Sequence, residues 1–147
     1  MIAGVGIDLC EISRMEKLIQ DERFLVRFFS TEEQAYIREK GKSGAQSMAG
    51  IFAAKEALAK ALGVGIAADI REIAVKHDAN GAPYYSLSGE YARFAEERRI
   101  SGFFLSITHE RDMAAAVCVA EACVAGSGWI GLPEASISNA CAWRSSM

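Results

Sequence analysis

The run at residues 46–62 most constrains how this chain can fold. It contains Ala49-Gly50-Ile51-Phe52-Ala53-Ala54-Lys55-Glu56-Ala57-Leu58-Ala59-Lys60-Ala61-Leu62 and is followed by Gly63. Ala and Leu lose little side-chain freedom in a helix, and a glycine just past the end can take the left-handed conformation that closes one. The run predicts a long helix stopping at Leu62. Short apolar stretches surround it. Residues 2–9, 70–77 and 84–87 read as strands, and Asn80-Gly81-Ala82-Pro83 supplies a tight turn between the last two. Residues 102–108 and 113–120 read as an antiparallel hairpin joined by His109-Glu110-Arg111-Asp112.

Three more helices are expected. Ile12, Met15, Leu18 and Ile19 recur at helical spacing over 11–20. Ser30 and Glu33 form a capping box that opens a helix to about Glu39. Residues 89–99 are charged and amphipathic. Residues 41–44 read as a loop, and 23–29 carry no assignment. The order βααα-ββ-α-ββ indicates an α+β fold.

The length of 147 residues fits one domain, and 51% apolar residues suffice for a core. Beyond about residue 122 the chain turns to Gly, Ser and Ala with two isolated Trp. A domain over 1–122 and a C-terminal tail over 123–147 are therefore expected, with the part from about Gly126 dispensable for chemistry. A net charge of −3 with mixed signs argues against a general nucleic-acid binder. The four cysteines form no C-x-x-C pair and there are only two histidines, so a structural zinc site is not expected. Cys10 and Cys118 read as buried thiols, and the start has no basic n-region, so a reducing cytoplasm is expected. The 20 residues 113–132 carry a single charge, Glu121, but half are Ala, Gly and Ser; a membrane span is not expected.

Singly, the polar candidates have ordinary readings. Asp8 ends an apolar strand, where a carboxylate needs a partner or a metal, or starts the next helix. Glu56 and Lys60 are four apart and could be a surface ion pair. His109 could be a turn residue. Arg14, Lys17, Arg23 and Arg27 could be a solvated face. Gly4 and Gly6 do not form a dinucleotide fingerprint, because no G-x-G-x-x-G precedes a helix.

Taken together, these residues form a pattern. Gly6-Ile7-Asp8-Leu9 running through Ile12 to Arg14, the block from Phe52 to Gly63 and Asn80-Gly81-Ala82-Pro83 lie in order. Ser106-Ile107-Thr108-His109 followed by Ala114-Ala115-Ala116-Val117 completes it. With these blocks the chain resembles the holo-acyl-carrier-protein synthases, the small trimeric class of 4′-phosphopantetheinyl transferases. The resemblance implies an antiparallel sheet packed against helices, one of them long and central. It implies transfer of 4′-phosphopantetheine from coenzyme A to a serine of an acidic apo acyl carrier protein, for fatty-acid biosynthesis. Adenosine 3′,5′-bisphosphate would be released and Mg²⁺ required.

By the same resemblance Asp8 and Glu56 hold the metal, and Glu56, Lys60 and His109 are catalytic. Lys60, Gly63, Asn80, Gly81, Pro83 and His109 bind coenzyme A; Arg14, Arg23, Phe24 and Arg27 grip the carrier. A homotrimer with sites between subunits is implied. Two departures stand out. Ile51 replaces an arginine usual before the Phe-Ala-x-Lys-Glu block, and about 25 residues follow the last strand. Ile51 favours the rival reading, a non-catalytic coenzyme A or carrier-binding module; the intact Asp8, Glu56, Lys60 and His109 argue against it and against a purely structural oligomer. If residue 51 faces a neighbouring subunit's coenzyme A, Ile51→Arg is expected to improve its binding.

Overall fold

The computed structural model describes residues 1–123; residues 124–147, and with them nearly all of the expected tail, lie outside the described residues. The chain opens with β1 (Ile2–Glu11), followed by α1 (Ile12–Leu18), α2 (Glu22–Phe28), α3 (Thr31–Glu39) and the central α4 (Gly44–Leu62). Then come β2 (Ile73–His77), β3 (Pro83–Leu87), α5 (Gly89–Glu97), β4 (Ile100–Glu110) and β5 (Met113–Ala122). A three-stranded antiparallel sheet has the order β1-β5-β4, and β2 and β3 form a separate antiparallel pair. The α+β class expected from the sequence is the class observed.

Several boundaries differ from the expected ones for local reasons. Glu11 does not open a helix; it closes β1, paired with Met113. The unassigned 23–29 stretch is mostly helical, because the Asp21 carboxylate accepts hydrogen bonds from the Arg23 and Phe24 N–H groups and caps α2. Residues 41–44 are not an open loop: a 3₁₀ turn spans Gly41–Ser43 and α4 begins at Gly44, earlier than expected. Residues 70–72 form a 3₁₀ turn rather than strand, since Asp69 accepts from the Arg71 N–H at 3.0 Å. The helix α5 borrows its cap. Its Ser88 makes no side-chain cap; the Glu72 carboxylate accepts from the N–H groups of Glu90 (2.8 Å) and Tyr91 (3.3 Å) instead.

The helix α4 is the hub. Fourteen of its 19 residues are buried, and Gly63 ends it at φ 70° with its N–H bonded to the Ala59 and Lys60 carbonyls. Such a helix is apolar on every side because elements surround it. β1 lies against its C-terminal half, and two glycines permit that approach. A Cβ on Gly4 would overlap the Ala61 carbonyl oxygen, and one on Gly6 the Ala57 carbonyl oxygen. Gly4 and Gly6 are thus packing residues. Gly50, at the other end of α4, meets Ile107 of β4. The helix therefore crosses the sheet diagonally, from β4 at its start to β1 at its end.

One charge pair is sealed inside. The Lys55 ammonium lies 2.8 Å from Glu33, and both side chains are essentially unexposed. Burial pulls the Lys55 pKa below its usual range, and the Glu33 carboxylate opposes this. Glu33 also accepts from the Ser30 N–H (2.8 Å) and from the Val75 N–H (2.7 Å). One carboxylate thereby joins α3, α4 and β2, which is how a buried charge is tolerated. Tyr85 donates to the Ala54 carbonyl at 2.6 Å, and buried Tyr91 donates to the Gly65 carbonyl at 3.0 Å. Cys10 and Cys118 are buried and reduced, as expected. Among the described residues no helix is long and apolar enough to cross a membrane.

Strand alternation gives the large sheet two faces. Gly4, Gly6, Asp8 and Cys10 look toward α4, while Val5, Ile7 and Leu9 look away and are exposed, the last two at 63% each. Phe104 on β4 pairs with Val119, and Val5 pairs with Val119 from the other side. The outward face is therefore a broad apolar surface.

Candidate functional site

Asp8 reaches the helix side of β1 two residues beyond Gly6, where strand and helix are closest. Lys60 comes from the last turn of α4. Its ammonium lies 2.8 Å from Asp8 Oδ1 and 2.9 Å from the Ile7 carbonyl oxygen. The surface ion pair open to Glu56 and Lys60 is not the one formed; Lys60 turns to Asp8. Glu56 lies on the same helix one turn earlier and is half-buried. Burial raises its pKa, the Asp8 charge raises it further, and Lys60 and Arg14 oppose. Asp8, Glu56, Lys60 and Arg14 thus form one electrostatic cluster.

Among the described residues no group of three or more His, Cys, Asp or Glu could hold a metal ion. Two carboxylates fit only a hard cation that takes its other ligands from water and substrate phosphates, which is how Mg²⁺ is usually bound.

His109 is not brought to this cluster. It lies near the end of β4, and its Nδ1 is 2.6 Å from the Gln46 amide nitrogen. Gln46 is ten residues before Glu56 on α4, about 15 Å along the axis. His109 is therefore out of hydrogen-bond reach of Glu56 in its own chain. The turn carrying Asn80, Gly81 and Pro83 is shaped by Asp78, whose carboxylate accepts from the Asn80 and Ala82 N–H groups at 2.8 Å each; Gly81 has φ 83°. Among the described residues this turn makes no hydrogen bond or ion pair to Asp8, Glu56 or Lys60. Gly63, at the end of α4, is close in sequence to Lys60 and exposed.

The carrier-contact candidates lie on one flank. The Arg14 guanidinium is 5.4 Å above the Phe52 ring, and Phe52 precedes Glu56 by one helical turn. Phe24 is not a protruding anchor. It is half-buried in a cluster with Phe28, Phe29 and Phe52, at ring separations of 4.6 to 6.2 Å. Arg23 and Arg27 remain exposed. They line a groove of about 760 Å³ between α2 and the 66–71 segment, together with Val26, Phe28, Ile66 and Arg71. Ile51 is 2% exposed in the core. A new guanidinium there would have to be fitted among packed apolar side chains, so the geometry argues against the expected gain from Ile51→Arg. Sequence reasoning missed Gln46, Phe52 and the cap from Asp21. Asp21 was legible, since an Asp before Glu22-Arg23-Phe24 is a cap signal; the other two contacts are long-range.

A sheet packed on a diagonal central helix, with an acid from the first strand beside an acid and a lysine on that helix, defines a family. The family model of the 4′-phosphopantetheinyl transferase superfamily matches residues 4–118, and the chain belongs to that superfamily. Within it the relatives are holo-[acyl-carrier-protein] synthases. The one from Treponema denticola is 44% identical over 122 residues, covering 82% of this chain and 99% of the relative. The crystal structure of the Neisseria meningitidis holo-[acyl-carrier-protein] synthase is 36% identical with TM-score 0.75, covering 82% of this chain and 99% of that one. The Helicobacter pylori structure, solved in complex with coenzyme A, is 35% identical with TM-score 0.69, covering 80% and 99%. The chain is an enzyme, and its family's chemistry is phosphopantetheine transfer.

Proposed function

We propose that the chain moves the 4′-phosphopantetheine arm of coenzyme A onto a serine of an acidic apo acyl carrier protein, in the cytoplasm and for fatty-acid biosynthesis. The observation that carries this reading is the Asp8, Glu56 and Lys60 cluster at the β1–α4 contact. The serine oxygen forms a bond to the phosphorus bearing the pantetheine. The bond from that phosphorus to the bridging oxygen breaks, and adenosine 3′,5′-bisphosphate leaves with the electron pair. Glu56 takes the serine proton, directly or through a water; its raised pKa brings it nearer the range useful for a general base. Lys60 binds phosphoryl oxygens as a point charge. Asp8 and Glu56 would hold Mg²⁺, which when bound neutralises charge on the pyrophosphate.

His109 and the Asn80, Gly81 and Pro83 turn belong to the coenzyme A site in this reading, supplied by a neighbouring subunit. The separation of His109 from Glu56 within one chain supports this, and so does the exposed apolar face of Val5, Ile7, Leu9 and Phe104. An apolar surface of this kind is suited to a second and third copy of the chain. In this reading residues 1–122 form the catalytic domain and 123–147 a tail, of which the chemistry does not need the part from about Gly126.

Mass spectrometry of an apo carrier incubated with the protein, coenzyme A and Mg²⁺ tests the activity. A phosphopantetheine mass gain is expected, stopped by EDTA and restored by Mg²⁺. An unmodified carrier, with a control synthase active on it, would refute the transfer; full activity in excess EDTA would refute the metal.

Arg23 and Arg27, with Arg14 and Phe24 beside them, are the carrier-docking residues. Arg14 also acts on Glu56, so the cleaner test uses the other two. Arg23→Glu with Arg27→Glu is expected to raise KM for the carrier by about tenfold or more, with KM for coenzyme A little changed. Added salt should weaken carrier use by the wild type, because exposed charges are screened within about 8–10 Å. Equal effects on both substrates would place the carrier elsewhere.

A further inference from the structure

Lys60 is held at two points, by the Asp8 carboxylate and the Ile7 carbonyl. Its side chain is 50% exposed, while that of Asp8 is only 19% exposed. Asp8 thus has little water and depends on the ammonium as its counter-charge. The ammonium rides on a flexible stem with a way out to solvent. A divalent ion approaching Asp8 alone meets a cation already seated on the same carboxylate. Coenzyme A changes this, because its phosphates offer Lys60 stronger partners than one carboxylate and one carbonyl.

We propose that Lys60 is a placeholder cation: its ammonium occupies Asp8 until coenzyme A phosphates draw it off, so that a divalent ion binds together with coenzyme A and not before it. This rests on the reading of Asp8 and Glu56 as the metal ligands. In the ligand-free protein the lysine holds the Asp8 side chain in place, so the strand needs no rearrangement when the exchange occurs. It also keeps two neighbouring acids from collecting divalent ions without substrate. Because coupling between two ligands is reciprocal, the metal must strengthen coenzyme A binding by the factor by which coenzyme A strengthens the metal.

The test is direct Mn²⁺ binding to the full chain by calorimetry or electron paramagnetic resonance, with and without coenzyme A. Without coenzyme A, Lys60→Met is expected to bind Mn²⁺ about tenfold more tightly than the wild type, the repulsion of one nearby unit charge in a water-like medium. Lys60→Arg should stay near the wild type. The gain in Mn²⁺ affinity on adding coenzyme A should shrink in Lys60→Met by the same factor. A folded Lys60→Met that binds Mn²⁺ no more tightly than the wild type would overturn the proposal; should that variant not fold, Lys60→Gln answers the same question. Asp8→Ala separates the two levels. If it weakens Mn²⁺ binding while Lys60→Met changes nothing, only the placeholder fails. If Asp8→Ala binds Mn²⁺ as the wild type does in the presence of coenzyme A, the metal reading fails and the placeholder with it.

Discussion

Glu56→Gln is expected to lower kcat by about 10²–10⁴-fold, the usual contribution of a general base, while leaving the ligand-free protein as stable as the wild type or more so at neutral pH. The second half follows from linkage. Burial and the Asp8 charge raise the Glu56 pKa in the fold. Between its unfolded and folded pKa values the folded state then binds more protons than the unfolded state. Stability from this group is lost as pH rises through that window, which lies above the ordinary glutamate range. At neutral pH the ionised carboxylate is therefore a net destabilisation that glutamine removes. Thermal melts of both proteins without ligand should show glutamine's advantage at pH 7.5 and its disappearance near pH 4. A lower Tm for Glu56→Gln at pH 7.5 would mean that the carboxylate stabilises the fold. The expected trade is that of an active site, where charge is placed for the reaction and not for stability.

Gly6→Ala should be the most damaging small substitution in β1. Its Cβ would overlap the Ala57 carbonyl oxygen and stand 2.8 Å from the Ala61 nitrogen, both helix backbone. A side chain can rotate away from an added methyl; a helix backbone cannot. Overpacking usually costs about 1–3 kcal/mol, and a backbone clash should exceed that range. A loss above 3 kcal/mol corresponds to a fall in Tm on the order of 10 °C for a domain of this size. Activity should fall too, because Asp8 follows two residues later and moves with the strand away from Lys60. Gly41→Ala is the control: its φ of 53° is strained for alanine, but no atom lies within 4 Å of its Cβ. It should lose only about 1 kcal/mol. A Gly6→Ala protein melting within 2 °C of the wild type would show that β1 and α4 do not pack this closely.

Local patterns were legible because their hydrogen bonds close within a few residues. The composition of 46–62 and its glycine stop gave the central helix, and Ser30 with Glu33 gave the start of α3, capping box included. Two apolar runs around a short turn gave the β4–β5 hairpin. The motif blocks gave the family. Where a local signal competed with a distant partner, the sequence alone did not decide. Glu56 and Lys60 stand at ion-pair spacing, yet Lys60 reaches 52 residues back to Asp8. Glu33 reads as a capping residue, yet its carboxylate also closes a buried pair with Lys55 and takes the Val75 N–H, 42 residues on. Ile51 reads as a missing phosphate contact, yet it is core. Each depends on how β1, α3 and β2 dock on α4. A pattern within one segment specifies which face is apolar, but not which polar atom of another segment will stand opposite a given charge. That is set only when the backbones pack, at a distance fixed here by Gly4 and Gly6.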